Sequence, residues 1–371
     1  MKKYKLFLFA LFVCTGTISF AQTLPKPDHV VVVIMENHAY EQIIGYSGAP
    51  YINGLTTDTD AALFTNSFAL SHPSQPNYLM LYSGSAQGIT DDAISPNQFT
   101  TCNLGAMLID SGYKFIGYSE DQPSVGYLGA TSGAYARKHN PWSNWQGSPS
   151  DSIPIKSNAP YTLFPTNFDS LPTVSFVVPN LNDDMHDGTI TAGDTWLQNN
   201  IDNYVIWSKT HNSLLILTFD EDNDNYNNHI TTIFLGQNVK GGSYSDTITH
   251  YNVLLTIEAM YGLPECANTN TVKPISKIWK ATTTSLSQLS INNSQLSIYP
   301  NPVINELTIN YNINSHGTIG IFDLLGRKLD EQDLLNNSKS GILQVGELPK
   351  GIYELRLTSG NDVLIKKFIK D

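Results

Sequence analysis

The run His29-Val-Val-Val-Val-Ile34, followed after Met35 by Glu36-Asn37-His38, decides the architecture. Its branched apolar residues show no polar alternation, so a strand made from them is buried on both faces. That is the signature of a mostly parallel sheet covered by helices. The pattern repeats in Ser175-Phe-Val-Val178 and in Leu214-Leu-Ile-Leu-Thr-Phe219. The second run opens into Pro179-Asn180 and Asn182 to Asp187, and the third ends in Asp220-Glu221-Asp222. Ligands of open α/β sheets gather at the carboxyl ends of strands, so this repeated order points to function. Ile230 to Gly236 reads as a further strand, and helices are expected over Asn103–Ser111, Gly193–Ser208 and Asn252–Tyr261. Asp121 to Pro160, rich in Gly, Ser, Pro and Trp, is expected to be irregular and to form the mouth of the site.

The chain has 371 residues, 41% hydrophobic and 15% charged, which suits one large domain and a smaller one and argues against disorder, a coiled coil or a disulfide-built miniprotein. Lys and Arg number 21 against 33 Asp and Glu, a net charge of -12. This disfavours a general grip on nucleic acid or an anionic membrane. Lys2, Lys3 and Lys5, the apolar run Leu6 to Val13 and Ser19-Phe20-Ala21 read as a signal peptide over 1–21. A buried first helix is the alternative, and Cys14 lacks a lipobox. No other apolar run approaches the roughly 20 residues of a spanning helix. Export leaves Cys102 and Cys266, which could pair in an oxidising compartment, although sequence does not supply their geometry. The catalytic domain is expected over 22–280, a Thr/Ser/Asn-rich linker over 281–295, and a small antiparallel β-sandwich over 296–371, where apolar and polar residues alternate between Gly/Asn turns.

Three strand ends carry the chemistry. Glu36 and Asn37 can face one hard cation, since burying them without a partner is costly; a capping cluster is the bland alternative. In Ser71-His72-Pro73-Ser74-Gln75-Pro76-Asn77-Tyr78, Ser74 sits where a Pro-rich turn meets a helix start, placed to act as nucleophile or as N-cap. No G-x-S-x-G elbow suggests a Ser-His-Asp triad, whereas a divalent ion can activate a hydroxyl alone. Asp220, Glu221 and Asp222 repel one another and call for a cation, with a structural Ca²⁺ loop as the rival. In Asn182-Asp183-Asp184-Met185-His186-Asp187, His186 could protonate a leaving alkoxide, bind phosphate or join a second metal, oriented by Asp183 or Asp187. His139 lies beside Arg137 and Lys138, a basic spot suited to an anionic substrate. His229 and His250 could return to the centre or merely pack. Tyr78, Trp142 and Trp145 could line the mouth, while Trp196 reads as core.

Together these residues resemble the secreted phosphoesterase family of acid phosphatases and phospholipase C-like enzymes, with its alkaline-phosphatase-like fold. The resemblance rests on Val31 to Asn37, His72-Pro-Ser-Gln-Pro-Asn77, Lys138-His139 with Pro141, Pro179-Asn180 with Asp184 to Asp187, and Thr218-Phe-Asp-Glu221, and runs from about Asp28 to Trp279. It implies that Glu36, Asn37, Ser74, Asp220 and Glu221 hold one principal divalent metal, with a second possible, and that Ser74 is the nucleophile. It also implies that His139 and His186 touch phosphate or assist the leaving group; His229 joins them as a candidate. Glu221 stands where the broader superfamily commonly has His, which argues against a standard two-zinc site. The tail resembles the type A sorting domain of the type IX secretion system, through Leu296-Ser-Ile-Tyr-Pro-Asn-Pro302, Phe322-Asp-Leu-Leu-Gly-Arg327, Leu348-Pro-Lys-Gly-Ile-Tyr353 and Lys366-Lys367. This implies passage through the periplasm and outer membrane, with the secretion machinery as partner. The expected activity is metal-dependent phosphomonoester hydrolysis through a phosphoserine. The alternatives are a phospholipase C or other phosphodiesterase with the same centre, and a noncatalytic extracellular binding protein.

Overall fold

The computed structural model describes residues 24–95, 98–280, 296–311, 317–323, 326–334, 339–359 and 362–371. The expected signal peptide over 1–21 and linker over 281–295 lie outside these. The described residues form two units, one within 24–280 and one within 296–371.

In the first unit the run that opens the sequence becomes the strand His29–Met35, hydrogen-bonded in parallel to Val174–Val178 on one side and to Ser213–Phe219 on the other. Val30, Val32 and Ile34 pack into one core, and Val31, Val33 and Met35 into another on the opposite face. Successive strand residues point to opposite faces, so covering both faces requires the unbroken apolar run. The main sheet runs Gly242–Tyr244, Ala61–Phe68, His229–Gly236, Ser213–Phe219, His29–Met35, Val174–Val178, Phe115–Ser119, Asn158–Pro160, with Ile248–Thr249 also paired to Ala61–Phe68. His229–Gly236 runs against both its neighbours, and every other pairing in the sheet is parallel. The carboxyl ends of the parallel strands therefore share one edge.

Helices Ser74–Ser83, Leu104–Asp110 and His250–Tyr261 cover one face, and Ile190–Ser208 with Pro50–Leu55 covers the other. Asn103 caps its helix by accepting from Ala106 N, and Gly262, at φ 66°, ends the last one in the left-handed conformation glycine tolerates. The strands Ala61–Phe68 and Phe115–Ser119 are additions to the sequence reading. Their apolar runs are interrupted by Asn66 and by Gly117, and the missing side chain of Gly117 gives way to Trp142, whose ring stands 2.1 Å from where a Cβ would be. Trp142 and Trp145 are accordingly fully buried core residues and not lining of the mouth. Asp121 to Pro160 consists of short 3₁₀ turns, a two-stranded ribbon and one edge strand, close to the irregular segment expected. Cys102 and Cys266 form a disulfide with Cα atoms 6.0 Å apart, joining the loop before Leu104 to the segment after His250–Tyr261.

The second unit holds two antiparallel sheets, Leu296–Tyr299, Glu306–Tyr311 and Ser340–Gln344 in one, and Lys328–Leu334, Gly317–Phe322, Gly351–Ser359 and Asp362–Lys370 in the other. Leu307, Ile309, Ile319, Leu355 and Phe368 share its apolar core. No helix among the described residues is long and apolar enough to cross a membrane.

Candidate active site

The site forms where three parallel strands end. Beyond Met35, Glu36 is fully buried, and Asn37 turns into the left-handed region at φ 41°, which aims its backbone N–H at Asp220 Oδ1, 3.2 Å away. Ser74 opens its helix with its hydroxyl 3.0 Å from Glu36 Oε2, 3.1 Å from Glu221 Oε1 and 3.3 Å from Asn37 Oδ1. Asp220 contributes a buried Oδ2 without a partner, and its carbonyl accepts from His250 Nε2 at 2.7 Å. The structure thus brings together Glu36, Asn37, Ser74, Asp220 and Glu221.

On the other side of Glu36 stands His139, 1% exposed, with Nε2 3.3 Å from Glu36 Oε1 and Nδ1 3.4 Å from Asp184 Oδ2. Tyr78 donates its hydroxyl to Glu36 Oε1 and stacks on the His139 ring at 5.0 Å. Tyr78 is therefore a buried support of the site and not part of its mouth. Burial pushes the His139 imidazole well below its ordinary pKa, with Lys138 and His186 adding to the effect, so it stays neutral although carboxylates flank it. Burial likewise raises Glu36, Asp184 and Asp220 well above the carboxylate range, aided by their mutual repulsion. Glu221 is pushed up to about 8, first by burial and then by Asp220.

His186 occupies the more open side, with Nδ1 2.7 Å from Asp187 Oδ1 and Nε2 3.5 Å from Lys138 Nζ. Asp187, of the two acids considered, orients it; Asp183 turns instead to Asn180, whose side-chain oxygen accepts from Asp183 N. His229 takes no part in the cluster's contacts. It begins the strand that runs against its neighbours, and its nitrogens are committed to Glu41 Oε1 at 2.7 Å and the Thr65 carbonyl at 3.0 Å, between the rings of Tyr40 and Phe68. Asp222 also leaves the acidic group, accepting from the amides of Asp224, Tyr226 and Asn228 to build the following turn. Arg137 is held by Ser143 Oγ and the Leu128 carbonyl.

The sequence reading assigns no role to Asp184, His72 or Asp92. Asp184 and His72 sit inside the quoted motifs, and His72 reaches Glu221 Oε2 at 3.0 Å and Asp222 Oδ1 at 3.2 Å. Asp92 carries no such signal, because its partners Gln75 and Lys138 lie 17 and 46 positions away.

A cation fits this arrangement. Four buried carboxylates cannot all ionise side by side without one, and Asp184 Oδ2, Asp220 Oδ2 and His139 Nε2 are buried without hydrogen bonds. The Asn37 amide, with its nitrogen turned to the carboxylates, donates to Glu36 Oε2 at 2.8 Å and to Glu221 Oε1 at 3.3 Å. Glu36, His139 and Asp184, all buried, also bring ligand atoms within 4.8 Å of one another, a group able to hold a metal ion.

Fold and site together make this a mostly parallel α/β protein with a buried serine ringed by carboxylates at its strand ends. Residues 49–264 match the Phosphoesterase family, and the chain belongs to that family. It is 44% identical over 261 residues to a phosphatidylinositol-3-phosphatase of Mycobacterium tuberculosis, covering 70% of this chain and 85% of that protein. It is 32% identical over 221 residues to a phosphate-repressible acid phosphatase of Penicillium chrysogenum, covering 55% of this chain and 53% of that protein; the chain spans about half the length of this relative. Among solved structures, a protein of the alkaline phosphatase superfamily from Vibrio parahaemolyticus is similar with a TM-score of 0.49 at 10% identity, over 93% of this chain and 80% of that one. Family and relatives support a phosphoric ester hydrolase. Residues 297–371 match the Secretion system C-terminal sorting domain, which directs the chain through type IX secretion to the cell surface or beyond.

Proposed function

We propose that the protein is a secreted, metal-dependent phosphomonoesterase in which Ser74 forms a phosphoserine intermediate. The observation that carries this reading is the Ser74 hydroxyl, buried and within 3.3 Å of Glu36, Asn37 and Glu221. Glu36, Asn37, Ser74, Asp220 and Glu221 would hold the principal divalent cation, and Glu36, His139 and Asp184 offer a place for a second. Such an ion lowers the cost of a serine alkoxide and neutralises phosphoryl charge.

Ser74 Oγ attacks phosphorus in line with the ester oxygen. Its proton passes to Glu221 Oε1 or Glu36 Oε2, the carboxylates within hydrogen-bond reach. The P–O bond to the alcohol breaks as the Ser74 bond forms, and the departing oxygen takes a proton from His186 Nε2. His186 is suited to this because Asp187 holds its other nitrogen. Water then attacks from the vacated side and gives its proton to His186 Nε2. The bond from phosphorus to Ser74 Oγ breaks, releasing inorganic phosphate, and Ser74 recovers its proton. Lys138 neutralises the substrate's negative charge. His139, sealed between Glu36, Asp184 and Tyr78, serves as a cation ligand and not as a proton donor. The catalytic unit comprises 22–280, and the tail serves as an address.

Acid quenching during turnover of p-nitrophenyl phosphate, followed by mass analysis of the peptide carrying Ser74, is expected to recover a phosphopeptide that Ser74→Ala lacks. Chelation is expected to abolish turnover and added divalent metal to restore it. Equal rates for the chelated, remetallated enzyme with serine or alanine at 74 would overturn the mechanism. Faster hydrolysis of bis(p-nitrophenyl) phosphate or phosphatidylcholine than of p-nitrophenyl phosphate and phosphatidylinositol 3-phosphate would overturn the monoester assignment.

A further inference from the structure

The helix that begins at Ser74 has Pro73 as its N-cap, a residue with no side-chain acceptor, so its first amides need partners from elsewhere in the chain. Asp92 supplies one: its Oδ1 accepts from Gln75 N at 3.0 Å. Its other oxygen, Oδ2, accepts from Lys138 Nζ at 2.7 Å. The carboxylate thus links the amide next to the nucleophile with the ammonium beside the site. The turn that carries it is also tied down. Gln75, itself buried, donates its side-chain amide to the carbonyls of Asp91 at 2.9 Å and Ala93 at 2.8 Å, gripping Asp92 from both sides. Lys138 Nζ in turn lies 3.5 Å from His186 Nε2.

A lysine side chain is a flexible stem that surrenders rotamer entropy whenever its charge must sit in one place. A fixed carboxylate removes that freedom before substrate arrives. It occupies one of the three N–H donors and leaves the others to face the site.

We propose that Asp92 is a positioning residue, holding the Lys138 ammonium between the Ser74 helix and His186 so that it meets the phosphoryl oxygens of the ester. This rests on the phosphatase reading above and adds the residue that presets its anion-binding cation. Asp92 acts through Lys138 and does not itself touch the ester. The arrangement has a second consequence: loss of the Asp92 charge should weaken the grip on phosphate more than it slows the chemistry.

The test uses the full chain with its metal, p-nitrophenyl phosphate as substrate and inorganic phosphate as inhibitor. Asp92→Asn keeps an acceptor for Gln75 N but offers Lys138 no carboxylate. It is expected to raise KM and the phosphate inhibition constant about tenfold, the size of a lost charge-assisted hydrogen bond, with a smaller fall in kcat and an unchanged unfolding temperature. Lys138→Ala should raise both constants at least as much, and the double variant should be no worse than Lys138→Ala alone. Unchanged constants in Asp92→Asn, unchanged constants in Lys138→Ala, or losses that multiply in the double variant would each overturn the proposal. Failure of the underlying reading shows differently, as turnover that survives Ser74→Ala.

Discussion

The two units place their charges in opposite ways. In the first, Glu36, Asp184, Asp220 and Glu221 are buried together at one edge of the sheet, each 4% exposed or less. In the second, the ion pairs Arg327–Asp323 and Lys328–Glu331 each include a side chain that is largely solvent-accessible, and Arg356–Glu354 is half-buried. Sheet direction explains the contrast. Parallel strands deliver every carboxyl end to the same edge, so the loops that follow them can converge on a ligand. Antiparallel strands joined in succession send their turns alternately to opposite ends, and the described residues of the second unit bring together no comparable cluster. A buried polar group survives only where something compensates it, while an exposed pair contributes little either way.

The largest effect that would sharpen this contrast is expected from Ser74→Ala. Its kcat/KM for p-nitrophenyl phosphate should fall at least about thousandfold while the thermal midpoint barely moves, because the change removes the attacking atom and one small hydroxyl. Next comes the disulfide. Replacing Cys102 and Cys266 with serine should cost the first unit about 2–5 kcal/mol in urea unfolding, leaving the second unit's transition in place.

A smaller effect concerns a buried acid outside the site. Glu258 on the helix His250–Tyr261 accepts from Cys266 N at 3.2 Å, and burial raises its pKa from 4.5 to about 7. The folded state therefore keeps a proton that the unfolded chain releases. Its contribution is fully present below pH 4.5 and is lost as pH rises through about 7, a change of roughly 3 kcal/mol at most. Glu258→Gln is expected to flatten the stability profile across that window, measured by denaturant unfolding at a series of pH values. The smallest effect is expected in the second unit: Arg327→Ala should shift its stability by about 1 kcal/mol or less. A chain limited to 22–280 should retain full kcat/KM. A large loss of activity on removing the tail would break the division of labour between the two units.

Much of the fold was legible because its signals are local. Val30 to Ile34 announces a doubly buried strand, and Asn103 and Gly262 mark helix ends within a few residues of where they fall. Ala61–Phe68 and Phe115–Ser119 were not legible, since Asn66 and Gly117 interrupt the apolar run that defines a central strand. Glu36, Asp220 and Glu221 stood out because acids directly after apolar strands are costly to bury without a partner, and Ser74 because it sits where a Pro-rich turn meets a helix start. His229 stood out because it follows the acidic turn and opens a strand at the same edge, yet Glu41 and Thr65 take up its ring.

The sequence by itself determined that the chain has a mostly parallel α/β unit followed by an alternating β unit, and that reactive residues cluster after the buried strands. Tertiary structure alone decided which of those residues meet. Ser74 reaches Glu36 across 38 positions and Glu221 across 147, the two cysteines pair across 164, and Asp92 grips both Gln75 and Lys138. Hydrophobic periodicity and turn chemistry act over a few residues and can be read along the chain. Strand order and loop closure set which distant side chains share a few ångströms of space, and that distance governs hydrogen bonding, charge repulsion and cation binding.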